Sequence, residues 1–163
     1  MAEPTKPLFA ASTTVSTDQT LREIKDVIRK YGGRNVHVGE SDHRLVFAFE
    51  HGDADDSRLV RFEQYLPTVE DYALDSRRRA LAPKQAQQAY EKAMRQRYRI
   101  LLAVIRFRFE QFLAGIYTFD ETFALEIVMP DGRTVAQHVV PQVAEAYTSG
   151  HTPKLLPPWG GER

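Results

Sequence analysis

The chain of 163 residues contains no cysteine. Disulfide scaffolds, thiolate zinc sites and thiol nucleophiles are therefore excluded, and a reducing compartment fits. Long apolar runs are missing too. The longest, residues 100–105, falls far short of the roughly 20 residues that a membrane-spanning helix needs. Residues 1–12 hold one lysine and no apolar stretch of signal-peptide type, so no membrane association and a cytoplasmic location are expected. Glycine and proline are absent from residues 84–113, which leaves nothing to interrupt a helix. Acidic residues are nearly absent from residues 77–108, where ten basic residues face only Glu91, a net +9 that the rest of the neutral chain cancels. A neutral total thus conceals a strong local field.

What is present is ordinary for a globular protein: 42% hydrophobic and 27% charged residues, enough for one domain to bury a core without staples. Residues 1–15, with Pro4, Pro7 and several hydroxyl residues, are expected to form a flexible arm. Ser16 and Gln19 have capping-box spacing, and Leu21, Ile24, Ile28 and Tyr31 follow on one helical face up to Gly32-Gly33. Strands are predicted at residues 35–38, 44–50 and 58–66. Leu45, Phe47 and Phe49 share one face of the second, and Val60 and Phe62 one face of the third. The links are too short for parallel crossovers, so the three form an antiparallel meander.

Residues 68–82 are predicted to be a loop. Pro83 then stands where a first-turn proline would, and a helix of about 30 residues follows to Leu113. Its centre, residues 100–105, is apolar on every side and is expected to be buried all round. Its first half is expected to project, with Tyr90, Met94 and Tyr98 as a stripe for a homo-oligomer contact. Thr118 with Glu121 and Thr134 with Gln137 have capping-box spacing, and Phe119, Phe123 and Ile127 continue at steps of four. Pro141 is expected to kink or restart the last helix. Residues 151–163 form a proline-rich tail in which Leu155, Leu156 and Trp159 are expected to pack back on the domain. The fold class is α+β, with one domain over residues 16–150.

Three stretches carry a resemblance: Arg95-Gln96-Arg97-Tyr98-Arg99; residues 127–135, Ile-Val-Met-Pro-Asp-Gly-Arg-Thr-Val; and Pro141-Gln142 with Ala146-Tyr147 and Leu155-Leu156-Pro157. Together, and with looser likeness at Lys30-Tyr31-Gly32 and Val60-Arg61-Phe62, they resemble a family of uncharacterised proteins encoded by phages, prophages and other mobile elements. That resemblance implies a context, the host cytoplasm, and no activity. The order helix, three-stranded meander, long helix is similar in topology to the core of phage single-strand annealing proteins, an order that many unrelated folds share.

Catalytic and metal motifs fail on spacing. The five histidines include no pair at i,i+4, and Asp53, Asp55 and Asp56 near Gly52 lack the register of a calcium loop. Glu23-Ile24-Lys25 has the letters of a nuclease motif but lies on the first helix. No Gly-x-Ser-x-Gly elbow or phosphate loop occurs. No catalytic residue, metal or cofactor is therefore expected.

The remaining candidate is the basic window. Arg77, Arg78, Arg79 and Lys84 precede a helical stripe of Lys92, Arg95, Arg99 and Arg106, flanked by Tyr90 and Tyr98. Cations beside aromatics suit a phosphate backbone with stackable bases. The expected function is a non-enzymatic nucleic-acid-associated protein that binds or anneals single-stranded DNA. The alternative is a protein-interaction module that oligomerises through the long helix, its arginines neutralised by acids such as Glu40, Asp42, Asp53, Asp55, Asp56, Glu70, Asp71 and Asp75.

Overall fold

A computed structural model describes residues 8–41, 43–75 and 77–151; the expected packing of Leu155, Leu156 and Trp159 lies outside them. The architecture is α+β. Helix α1 (Thr17–Lys30) precedes strands β1 (Arg34–Ser41), β2 (Arg44–His51) and β3 (Arg58–Tyr65). Helices α2 (Pro83–Leu113), α3 (Phe119–Phe123) and α4 (Val135–Ser149) follow, with single 3-10 turns at Glu70–Tyr72 and Ala124–Glu126.

Ser16 caps α1, its Oγ accepting from the Gln19 N–H at 3.2 Å. The returning half of the box is not formed, because the Gln19 side chain donates to Glu23 instead. Ile24, Val27 and Ile28 are buried. The helix stops on two glycines needed for different reasons. Gly32 takes φ 88°, the left-handed value of a Schellman ending, while a Cβ on Gly33 would sit 2.3 Å from the Ile28 side chain.

The sheet order is β1-β2-β3, antiparallel throughout. Leu45, Phe47 and Phe49 of the central strand are fully buried, with Phe62 opposite Phe47 and Val60 opposite Phe49. Strand β1 runs past its expected end, because Gly39 pairs with Val46 in the ladder. A register shift between Arg34 and His37, where Asn35 takes φ 49°, marks a bulge. Beyond it Val38 lies opposite Phe47 and Glu40 opposite Leu45, so Glu40 belongs to the helix-covered face.

Helix α2 spans 31 residues, about 46 Å. Ala82 has no side-chain acceptor with which to cap it; Pro83 supplies the first-turn φ and Gln85 accepts from the Ala82 N–H at 3.2 Å. Met94, Tyr98, Leu101, Leu102, Ile105 and Phe109 form its core seam.

Three expectations about this helix are overturned. Its centre is not buried all round, since Val104 is 39% exposed; Phe107, just beyond, is 71% exposed. Its first half does not stand free: Ala86 is buried, Tyr72 meets Tyr90 edge-on at 6.4 Å, and Gln96 donates to the Phe9 carbonyl at 3.0 Å. The stretch before the helix and the arm after Leu8 thus fold back on it. The stripe expected at an oligomer contact is largely core, with Met94 7% and Tyr98 1% exposed.

Helix α2 ends on a second Schellman motif at Gly115 (φ 68°). Thr118 and Glu121 form a complete capping box, but α3 lasts only five residues before the chain tightens into its 3-10 turn. Ile127 then bridges Val60, extending the β3 edge. Helix α4 continues through Pro141 as one helix and does not restart there. The missing N–H leaves the Gln137 carbonyl free, and the Arg133 guanidinium donates to it at 2.7 Å.

Candidate nucleic-acid interface

Arg77, Arg78 and Arg79 lie in a tight turn just ahead of α2, closed by a bridge between Leu74 and Ala80. Asp75 organises it. One carboxylate oxygen accepts the backbone N–H groups of Arg77 and Arg79, both at 2.8 Å, and the other accepts from the Arg79 guanidinium. Hydrogen bonds from the Arg79 backbone and then its side chain hold the Asp75 carboxyl below the usual range. Arg79 is therefore spent on the turn. Arg77 and Arg78 are exposed and make no ion pair among the described residues. Lys84 and Lys92, on α2, are likewise exposed and unpaired there.

The expected helical stripe does not form one surface. Arg99 pairs with Glu23 at 2.6 Å, both side chains about a third exposed or less. Arg106 lies beside a depression shared with Glu23, Asp26, Lys30 and Tyr31. Arg108, on another face, pairs with Glu126 and lies over the Phe62 ring at 5.3 Å. Arg97 donates to the Tyr65 carbonyl at 3.4 Å.

Arg95 enters a cleft of about 450 Å³ between the start of α1, the end of β1 and the first half of α2. Tyr90, Met94 and Tyr98 line it, and so do three carboxylates, Asp18, Glu40 and Glu91. Tyr98 cannot be a stacking platform: it is 1% exposed, and burial, followed by the charge of Glu40, pushes its hydroxyl up to about 12. Tyr90 is half-buried beside acids. Three carboxylates against one guanidinium repel phosphate, so Arg95, Tyr90 and Tyr98 are withdrawn from the interface.

Several features escaped the sequence reading. The acids that neutralise basic-window residues include Glu23 and Glu126, 76 and 18 positions away from their partners; of the acids proposed for that role, Asp75 alone does so among the described residues. His51 stacks on Phe119 at 4.1 Å within a cluster that includes Phe109 and Phe112. The exposed aromatic Tyr65 carries the Arg44 guanidinium over its ring at 4.9 Å. No local spacing announces these contacts, because each joins separate elements. Among the described residues no cluster of His, Asp or Glu has the geometry to hold a metal ion, and no helix is long and apolar enough to cross a membrane. Compared with protein-family models, curated proteins and solved structures, the chain matches none.

Proposed function

We propose that this α+β domain is a non-enzymatic nucleic-acid-associated protein of a phage or other mobile element, and that it holds single strands by their phosphates. The observation carrying this reading is the turn pinned by Asp75. Its side chain and carbonyl accept from the backbone of Arg77 and Arg78, whose own side chains are exposed and have no carboxylate partner among the described residues. Lys84 and Lys92 extend the same basic character along α2. Preorganised, unpaired cations are what phosphate contact requires, and such contacts carry little base preference. The phage context rests on the resemblance of residues 95–99 and 127–135.

The test is fluorescence anisotropy with labelled single-stranded and duplex oligonucleotides across a salt series. Single-strand affinity should fall with a log–log slope of about −0.7 per phosphate neutralised. Changing Arg77 and Arg78 to alanine should flatten that slope by about 1.4. Absence of binding at the lowest salt would dismiss the reading.

A second reading, an assembly module, is favoured by a different observation. Helix α4 has no buried residue, and Val140, Val143 and Tyr147 on it are 56%, 38% and 90% exposed. Apolar faces of this kind mark contact with another surface.

A further inference from the structure

We infer that residues 152–163 lie back along helix α4 as a strap, with Leu155 and Leu156 against Val143 and Tyr147 and Trp159 in the hollow beside Ala136 and Val140. This goes beyond the nucleic-acid reading and does not rest on it. It competes with the assembly reading for the same helix face.

Helix α4 offers an apolar face that nothing among the described residues covers. Val135, Val139, Gln142 and Ala146, at steps of 4, 3 and 4, form its partly buried side, and the helix packs mainly on the 3-10 turn at Ala124–Glu126. A second stripe follows the same steps through Ala136, Val140, Val143 and Tyr147, about 100° round the axis. Val140 and Pro141 line a hollow of about 560 Å³ together with Arg133, Ala136 and Gln137. A neighbouring hollow shares Ala136 and Gln137 and adds Leu125, itself 46% exposed. One apolar trough therefore runs from the 3-10 turn along α4 to Tyr147. Left in water, a face of this kind is unfavourable.

Reach selects the occupant. Gly150 ends α4 at φ 72°, a left-handed residue that turns the chain out of the helical direction, and the described residues stop beside it at His151. In the residues that follow, Pro153, Pro157 and Pro158 favour an extended form that rises about 3.1 Å per residue. From His151 to Leu155 is four residues, about 12 Å in that form. Val143 lies about 10 Å back from Gly150 along the helix. From His151 to Trp159 is eight residues, about 25 Å, and Ala136 lies about 21 Å back from Gly150. The two spacings match, with a little chain left over for the turn. The chemistry matches as well. Leu155, Leu156 and Trp159 are large and apolar, and Lys154 is the only charge between His151 and Glu162. The stripe carries no charge, and the Arg133 guanidinium at the hollow suits an indole face. A tethered segment also acts at a millimolar effective concentration, which a separate chain must exceed to displace it.

Trp159 is the only tryptophan, so the intrinsic fluorescence of the full chain reads the tail directly. Wild-type emission should lie to the blue of the urea-unfolded chain and resist acrylamide quenching. Val140→Asp with Val143→Asp, both at exposed positions, should shift it to the unfolded wavelength while the circular dichroism spectrum stays that of wild type. Leu155→Ser with Leu156→Ser should do the same from the tail side. Phe107→Ser, on the exposed side of α2, should leave the emission unshifted. Emission at the unfolded wavelength in folded wild type overturns the inference. An α4 variant that stays blue-shifted, or a shift on Phe107→Ser instead, overturns it as well. So does a blue shift that appears only as concentration rises, with a dimer in sedimentation velocity, because the occupant is then a second copy. All these variants keep Arg77 and Arg78, so strand binding measured on them tests the nucleic-acid reading separately.

Discussion

Arg99 and Arg108 each hand a guanidinium to a partly buried carboxylate, Glu23 or Glu126, whereas Arg77 and Arg78 keep theirs in water. All four belong to one basic window of the sequence. The difference lies in what packs around them. Where α2 crosses α1 and the 3-10 turn at Ala124–Glu126, a charge partly withdrawn from solvent must be matched, and an acid stands ready on the neighbouring element. Ahead of α2 the chain has only a turn to stabilise, and Asp75 does that through backbone N–H groups and Arg79. The lesson is that a basic stretch of sequence divides into structural and available cations along its length. Only the available ones can serve a ligand.

The comparison breaks most visibly in the packed half. Phe109 is fully buried and touches Tyr31, Phe49 and Phe123. Phe109→Ala should lower unfolding free energy by about 3–5 kcal/mol in urea denaturation; a loss below 1 would mean that the aromatic end is not core. Next in size is Glu126→Ala, which strands Arg108 against Phe62 and should cost about 1–3 kcal/mol. No change there would place Arg108 among the available cations.

Stability should also depend on pH through His51. Burial, and secondarily the Arg34 charge, lower its pKa, against a backbone hydrogen bond at Tyr31 that raises it. The folded state therefore binds fewer protons at this site than the unfolded one. The stabilisation is complete above the unfolded value of about 6.5 and is lost as pH falls from there toward the folded pKa. Urea titrations between pH 7.5 and 5 should show this decline, and His51→Phe should flatten it. An unchanged profile in the variant would clear His51 of the effect.

The smallest expected effect on stability is at the turn. Arg77→Ala with Arg78→Ala should shift unfolding by no more than about 0.5 kcal/mol while weakening strand binding. A large loss of stability would show that these arginines are structural after all, and the contrast with Arg99 would disappear.

Local signals carried much of the fold. Ser16, Thr118 and Thr134 cap helices as their spacing indicates, and the alternation of Leu45, Phe47 and Phe49 oriented the sheet correctly. These are short-range matters of backbone donors and side-chain period, which neighbouring residues settle among themselves. Pro141 shows where such reasoning ends. Its break in the hydrogen-bond ladder was legible, but the guanidinium of Arg133 that fills it was not. The candidate site divides the same way. That residues 77–108 are basic is a property of the sequence alone. Which of those charges face water, and that Tyr98 looks onto Glu40 rather than toward a nucleobase, was decided by the crossing of α2 over α1 and the sheet. Charges act through space, and at distances of a few ångströms the partners that set their energy come from elements 18 to 76 residues away.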